Sequence, residues 1–246
     1  MSGHSKWATI KHKKAAADAK RGKAFTRLIK EITVAARIGG GDTTGNPRLR
    51  TAVLAAKEAN MPQDNITRAI KKGTGELEGI TYEEVTFEGY GPGGVAIMLN
   101  AVTDNKNRTL PEIRHMFMKY GGNLGEHNSV SWMFEKKGYF VIERSAVEED
   151  RLVEMVLEAG GDDVQTDGDN YEVISAPEQF ETVMAALKSG SVPLLHSEVK
   201  MMPKTTVRAQ GSAAKKVLGF IEALEEHEDV QNVWANFDID EADMEA

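Results

Sequence analysis

Residues 139–201 read YFVIERSAVEEDRLVEMVLEAGGDDVQTDGDNYEVISAPEQFETVMAALKSGSVPLLHSEVKM, and their periodicity decides the fold. Tyr139 to Glu143 opens with aromatic and β-branched residues, a strand by composition. Leu152, Val153, Val156 and Leu157 then recur at three- and four-residue spacing, which marks one face of a helix. Val164 marks one strand and Tyr171 to Ile174 another, on either side of the turn Asp167-Gly168-Asp169. Beyond Pro177, residues Phe180, Val183, Met184 and Leu187 return to helical spacing. Leu195 to Met201 closes the cycle as a strand. The order is βαββαβ, the ferredoxin-like arrangement.

Upstream of this cycle, Val85-Thr86-Phe87 and Val95-Ala96-Ile97-Met98-Leu99 are strand-like and joined by a glycine-rich turn. Leu110, Ile113, Met116, Phe117 and Tyr120 mark a helical face. Thr109 is the expected N-cap, with Glu112 three residues later completing a capping box. Val130 to Phe134 reads as a further strand. Downstream, a helix from Ser212 to His227, with Ser212 as its expected cap, and a strand from Val230 to Phe237 have no partners of their own. They complete the earlier ββαβ segment if the cycle is inserted into it.

Toward the start of the chain the pattern is helical. The stretch from Ser5 through Lys30 reads as helix, with Phe25, Leu28, Ile29, Ile32, Ala35 and Ala36 forming its apolar face. Gly39-Gly40-Gly41 stops it. A second helix opens at Asn46, a good N-cap, with Pro47 in the first helical position. Its face is Leu49, Val53, Leu54 and Ala56. A third follows Pro62, with Asp64 in its first turn, Ile66 and Ile70 turned inward, and Gly73 as the expected terminator.

Charge is sorted along the chain. Residues 1–72 carry 16 Lys and Arg against 5 Asp and Glu, a balance of +11, although the whole chain has a formal charge of −8. Such a block attracts phosphate backbones through counterion release. The candidate nucleic-acid contacts are Lys6, Trp7, Lys11, His12, Lys13, Lys14, Lys20, Arg21, Lys23, Arg27, Lys30, Arg48, Arg50, Arg68, Lys71 and Lys72. Trp7 among these cations has the chemistry to stack on an unpaired base, and equally to pack in a core. Asp104, Asn105, Asn107 and Arg108, between a strand and a helix start, form a candidate recognition loop; the alternative is Asx-turn and cap chemistry.

Several of these strings resemble the YebC/PmpR family. They are Gly3-His4-Ser5-Lys6-Trp7, Ile10-Lys11-His12-Lys13-Lys14, Asn46-Pro47-Arg48-Leu49-Arg50 and Asn60-Met61-Pro62-Gln63-Asp64-Asn65-Ile66. Tyr90-Gly91-Pro92-Gly93-Gly94, Thr103-Asp104-Asn105-Lys106-Asn107-Arg108-Thr109 and Asp229-Val230-Gln231-Asn232-Val233 continue the match. Two departures stand out. Thr43-Thr44 follow Asp42 where the family usually has proline, and Asn128 stands where it usually has glycine. The resemblance implies a three-domain α+β fold: a small N-terminal helical domain followed by two α/β domains, one ferredoxin-like and inserted into the other. The expected divisions are 1–76, 80–136 with 206–240, and 137–204. It also implies a DNA-binding transcriptional regulator, or a ribosome-associated translation factor such as the mitochondrial activator of cytochrome oxidase synthesis. The expected partner is DNA or ribosomal RNA, within a transcription complex or on the ribosome.

Catalytic patterns fail on inspection. Gly89, Gly91 and Gly94 match G-x-G-x-x-G, but an apolar β-branched run follows where a dinucleotide site needs a helix. Ser212-Ala213-Ala214-Lys215 matches S-x-x-K without the motifs that accompany it in acyl-enzymes. Six scattered histidines, His4, His12, His115, His127, His196 and His227, give no metal spacing. The chain has no cysteine, which removes disulfides and thiolate chemistry. No apolar run approaches the ~20 residues of a membrane span, and the basic polar opening lacks a secretory signal. The expectation is a cytoplasmic, non-enzymatic protein without cofactor, metal, membrane or small-molecule substrate. An enzyme with its site between domains, and a module docking its basic arm on an acidic protein, are the competing classes.

Overall fold

The computed structural model describes residues 19–240 and Asp243. Helix α1 spans Ala19–Gly39, α2 spans Pro47–Glu58 and α3 spans Gln63–Thr74. Their apolar faces close on one another through Ile32, Ala35, Leu49, Val53, Ala56, Ile66 and Ala69. The α1–α2 turn is organised by Asn46. Its amide donates to the carbonyls of Ala35 at 2.8 Å and Gly40 at 2.9 Å, and its Oδ1 accepts from Leu49 N at 3.1 Å. One buried side chain thus caps α2 and ties it to the end of α1.

Helix α3 runs one residue past Gly73, to Thr74. The terminator is Gly75, whose φ of 81° lies in the left-handed region that favours glycine. Gly73 instead lets α3 cross α1 closely. A Cβ there would press into the Thr33 carbonyl oxygen and lie 2.7 Å from Ala36 Cβ. Gly73→Ala is therefore expected to destabilise the helical domain by roughly 1–3 kcal/mol, since backbone cannot yield as a side chain does. An unchanged thermal midpoint for that variant would contradict this packing.

The body begins with β1 (Glu83–Tyr90) and β2 (Ala96–Thr103), an antiparallel hairpin. Residues 91–94 make its turn, with Gly91 N bonded to Val95 O at 2.8 Å, so the glycine triplet is hairpin chemistry. Helix α4 (Lys106–Lys119) and the two-residue β3 (Asn123–Leu124) follow. The expected strand Val130–Phe134 is not one. Residues 131–133 form a 3-10 turn, and strand β4 begins at Phe134 and runs unbroken to Glu143. The division expected between 136 and 137 falls inside that strand.

The loop before β4 is held by a buried carboxylate. Glu88 accepts from the backbone N–H groups of Asn128 at 2.9 Å, Val130 at 2.8 Å and Ser131 at 2.7 Å. Asn128 has φ 66°, a left-handed conformation that Asn tolerates better than most residues.

From β4 the cycle continues through α5 (Glu149–Glu158), β5 (Gly161–Asp167), β6 (Asn170–Ser175), α6 (Phe180–Ser189) and β7 (His196–Pro203). The sheet order β5-β6-β4-β7, antiparallel throughout, is ferredoxin-like. Phe140, Ile142 and Val173 meet Leu152, Val156, Val183 and Leu187 of the helices in its core.

The chain then returns through β8 (Val207–Arg208), α7 (Gly211–Glu226), β9 (Val230–Ala235) and β10 (Phe237–Asp238). Strand β9 pairs with β2 in the order β3-β1-β2-β9, so the first sheet is completed by the end of the chain. Ile97, Leu99 and Val233 face α4 and α7 through Phe117, Phe220 and Ile221. Ala96, Met98 and Trp234 face the other way, toward Val130, Phe134 and Met201. Strand β2 is covered on both sides, which is why it reads as a continuous apolar run.

Two expected caps are displaced. Asn105, not Thr109, accepts from Arg108 N at 3.2 Å and starts α4. Ser212 sits inside the first turn of α7, whose N-cap position is Gln210 with no side-chain cap bond.

Candidate nucleic-acid interface

The structure divides the predicted phosphate contacts into two groups. Lys23, Arg27 and Lys30 recur at spacings of four and three on α1 and so form one stripe. That stripe lies on the C-terminal end of α7. Lys23 Nζ donates to Glu226 O at 3.3 Å, and Arg27 donates to Glu225 O and to His227 O at 3.5 Å. Lys30, buried, reaches Glu228 O at 3.0 Å and Asp229 Oδ1 at 2.7 Å. The last carbonyls of a helix have no partner within it and carry its negative end. The α1 stripe caps them. Burial lowers the Arg27 pKa from its ordinary value, with the nearby charge of Glu225 opposing the shift.

Asp229 is the centre of this contact, fully buried at 0 % exposure. Its second oxygen accepts from Arg108 at 2.9 Å and from Thr109 Oγ1 at 2.7 Å. Burial alone would raise its pKa. Bonds from Lys30, Arg108 and Thr109 outweigh that and hold the carboxyl well below the usual carboxylate range. Within the candidate recognition loop, Asn105 and Arg108 carry cap and tertiary bonds, while the residues Asp104, Asn105 and Asn107 stay exposed. Asn105 caps α4, Arg108 pairs with Asp104 at 3.1 Å while pointing to Asp229, and Asn107 is exposed within the helix. Thr109, displaced from its expected cap role, is a buried donor.

Arg48 is likewise engaged. Its guanidinium pairs with Glu31 of its own domain at 2.6 Å and with Glu84 of β1 at 2.6 Å, bonds that raise its pKa despite partial burial. Arg50 donates to the carbonyls of Thr43 at 3.2 Å and Thr44 at 3.3 Å. It stiffens the loop where the sequence departs from the resembled family.

Arg68, Lys71 and Lys72 differ. They lie at i, i+3 and i+4 of α3, exposed, opposite buried Ile66 and Ala69, with no carboxylate partner among the described residues. Lys6, Trp7, Lys11, His12, Lys13 and Lys14 lie outside the described residues, and Lys20 and Arg21 are described only as backbone of α1. The acids that hold the cations, Glu31, Glu84 and Asp229, were not singled out from sequence. The one available signal was that Asp229 closely follows an amphipathic helix within a string shared with the resembled family.

Other chemistry is sparse. No group of three or more His, Asp or Glu suited to a metal occurs among the described residues. Ser212 and Lys215 are both exposed on α7. On the ferredoxin-like sheet, Tyr139 donates to buried Glu172, and Lys200 Nζ lies 3.1 Å from the Tyr139 ring centroid. Burial raises the Glu172 pKa and lowers that of Lys200 to about 8. No helix among the described residues is long and apolar enough to cross a membrane.

Comparison with known proteins matches the helical region and the body separately. Residues 5–76 match the model described as the TACO1/YebC protein N-terminal domain, and residues 82–237 the model described as the TACO1/YebC second and third domain. A probable transcriptional regulatory protein of Acidobacterium capsulatum is 57% identical over 243 residues, covering 99% of this chain and 98% of that protein. One from Geobacter sulfurreducens is 57% identical over 245 residues, covering 100% and 99%. The crystal structure of a conserved hypothetical protein from Aquifex aeolicus superposes with a TM-score of 0.81 at 49% identity, covering 91% of this chain and 93% of that one.

Proposed function

The chain belongs to the TACO1/YebC family of regulators, and we propose that it is non-enzymatic and holds a nucleic acid by phosphate contacts from its helical domain. The observation that carries this is the exposed face of Arg68, Lys71 and Lys72, in a region of +11 balance. Cations without carboxylate partners attract polyanions by releasing condensed counterions. Such contacts position a protein on a backbone without reading bases. The relatives' name, probable transcriptional regulatory protein, supports DNA as the target. Ribosomal RNA offers the same phosphate chemistry.

The test is binding of the full chain to a promoter duplex and to a ribosomal RNA fragment, measured by fluorescence anisotropy over a salt series. Converting Arg68, Lys71 and Lys72 together to Glu is expected to weaken binding at least ~100-fold at low salt. It should also flatten the salt dependence by about 3 in log–log slope, near 0.9 per phosphate contact. Full affinity in that variant would reject the assignment. The nucleic acid bound more tightly by the unaltered chain names the target.

A further inference from the structure

We infer that the Lys23–Arg27–Lys30 stripe is a second phosphate-binding surface, covered by the end of α7 and exposed when the helical domain swings off the body. This rests on the nucleic-acid reading above and deepens it.

The contact has the composition of a reversible one. Each apolar cluster lies wholly on one side of it: one joins residues 25–70, and the other three lie between residues 85 and 239. Among the described residues, the hydrogen bonds and ion pairs between the two sides are the α1 stripe on the carbonyls of residues 225–228, the Lys30–Asp229 pair and the Arg48–Glu84 pair, and Lys30 also lies 5.7 Å from the Tyr82 ring centroid. Interfaces without a large apolar area permit domain motion.

The partners are also poorly matched in charge. Lys23 and Arg27 donate to neutral carbonyls, with the charge of Glu225 near Arg27, and Lys30 shares the single carboxylate of Asp229 with Arg108. A phosphate oxygen brings a full opposite charge to these cationic donors, where a carbonyl brings only a dipole. Departure of Lys30 leaves Asp229 with Arg108 at 2.9 Å and Thr109 at 2.7 Å, while the carbonyls of residues 225–228 turn to water. Exchange of carbonyls for phosphates thus improves the partners of α1 without orphaning the group it leaves.

Two measurements on the full chain test this. The sequence contains no cysteine, so Thr51→Cys on α2 and Glu149→Cys on α5 place two spin labels cleanly, both at exposed positions. Pulsed dipolar spectroscopy is expected to show a changed interlabel distance when a DNA duplex or an RNA hairpin is added to saturation. Separately, Glu228→Lys sets a cation beside Lys30 and Arg108 at a side chain 71% exposed, where the fold tolerates it. It should tighten nucleic-acid binding about tenfold beyond the control Glu149→Lys, which makes the same charge change away from the interface. Saturating binding with an unchanged distance, or equal affinities for the two Lys variants, overturns the covered-surface proposal and leaves the nucleic-acid reading standing. Failure of every form to bind DNA or RNA overturns both.

Discussion

Glu88→Ala is expected to lower the stability of the protein by about 3–5 kcal/mol and to release the segment from Gly125 to Ser131. Glu88 is 2% exposed, and its two oxygens accept three backbone N–H bonds from Asn128, Val130 and Ser131. Truncation leaves three donors without a carboxylate where water has little access. Val130 would lose its anchor, and with it part of the apolar contact to Ala96, Met98 and Phe134. Glu88→Gln restores the shape and one acceptor oxygen, and so should cost less. The pH dependence follows from the sign of the shift. Burial would push the Glu88 carboxyl up, but the three N–H bonds outweigh it and hold its pKa below the ordinary 4.5. A depressed folded pKa adds stability above the unfolded value, which is lost as pH falls through the folded one. Urea melts from neutral pH downward should therefore show an acid limb beginning near pH 4.5, reduced in Glu88→Gln. An equally steep limb in that variant would assign the acid sensitivity to other groups.

Asp229→Ala is expected to cost a similar amount, about 3–5 kcal/mol, by a different route. Here the residual damage is cationic. Lys30 is 6% exposed and loses its carboxylate bond to Asp229, Arg108 loses its 2.9 Å partner, and Thr109 loses one acceptor. Much of the penalty is the buried ammonium left behind, not the pair removed. Lys30→Met on top of Asp229→Ala should recover part of the loss. Additive effects of the two substitutions in denaturant melts would show that the residues do not act as a pair.

The ferredoxin-like unit was legible because its signals are local. Period-two and period-3.6 runs alternate between residues 139 and 201, and each element buries its apolar face within the same unit. Asn46 was legible for the same reason, since its bond to Leu49 N spans three residues. The misplaced caps share a cause. Thr109 satisfies a capping pattern on paper, but Asn105 four residues earlier satisfies it better. Thr109 then has a tertiary acceptor in Asp229 that no local rule includes. Gly73 reads as a stop until α1 is laid across it. The cations were legible as charge and not as contacts. Lys30 meets Asp229 across 199 residues, and only the folded chain brings them together. The α3 cations remained exposed because their helix is amphipathic on its own and needs only α1 and α2 to bury its other face.

Strands β4 and β7 leave and rejoin the body side by side, paired down to Phe134 and Pro203. The outgoing and returning chain are therefore one strand spacing apart, about 4.8 Å. The 68 residues between them make up a cassette whose two cut ends already meet. A short turn can bridge them without reordering the host sheet, whose strands β1, β2, β3 and β9 all lie outside the cut. An ancestral or engineered chain of this kind can gain or lose the whole unit in one event, and the helical domain with its exposed α3 cations would be untouched by the exchange.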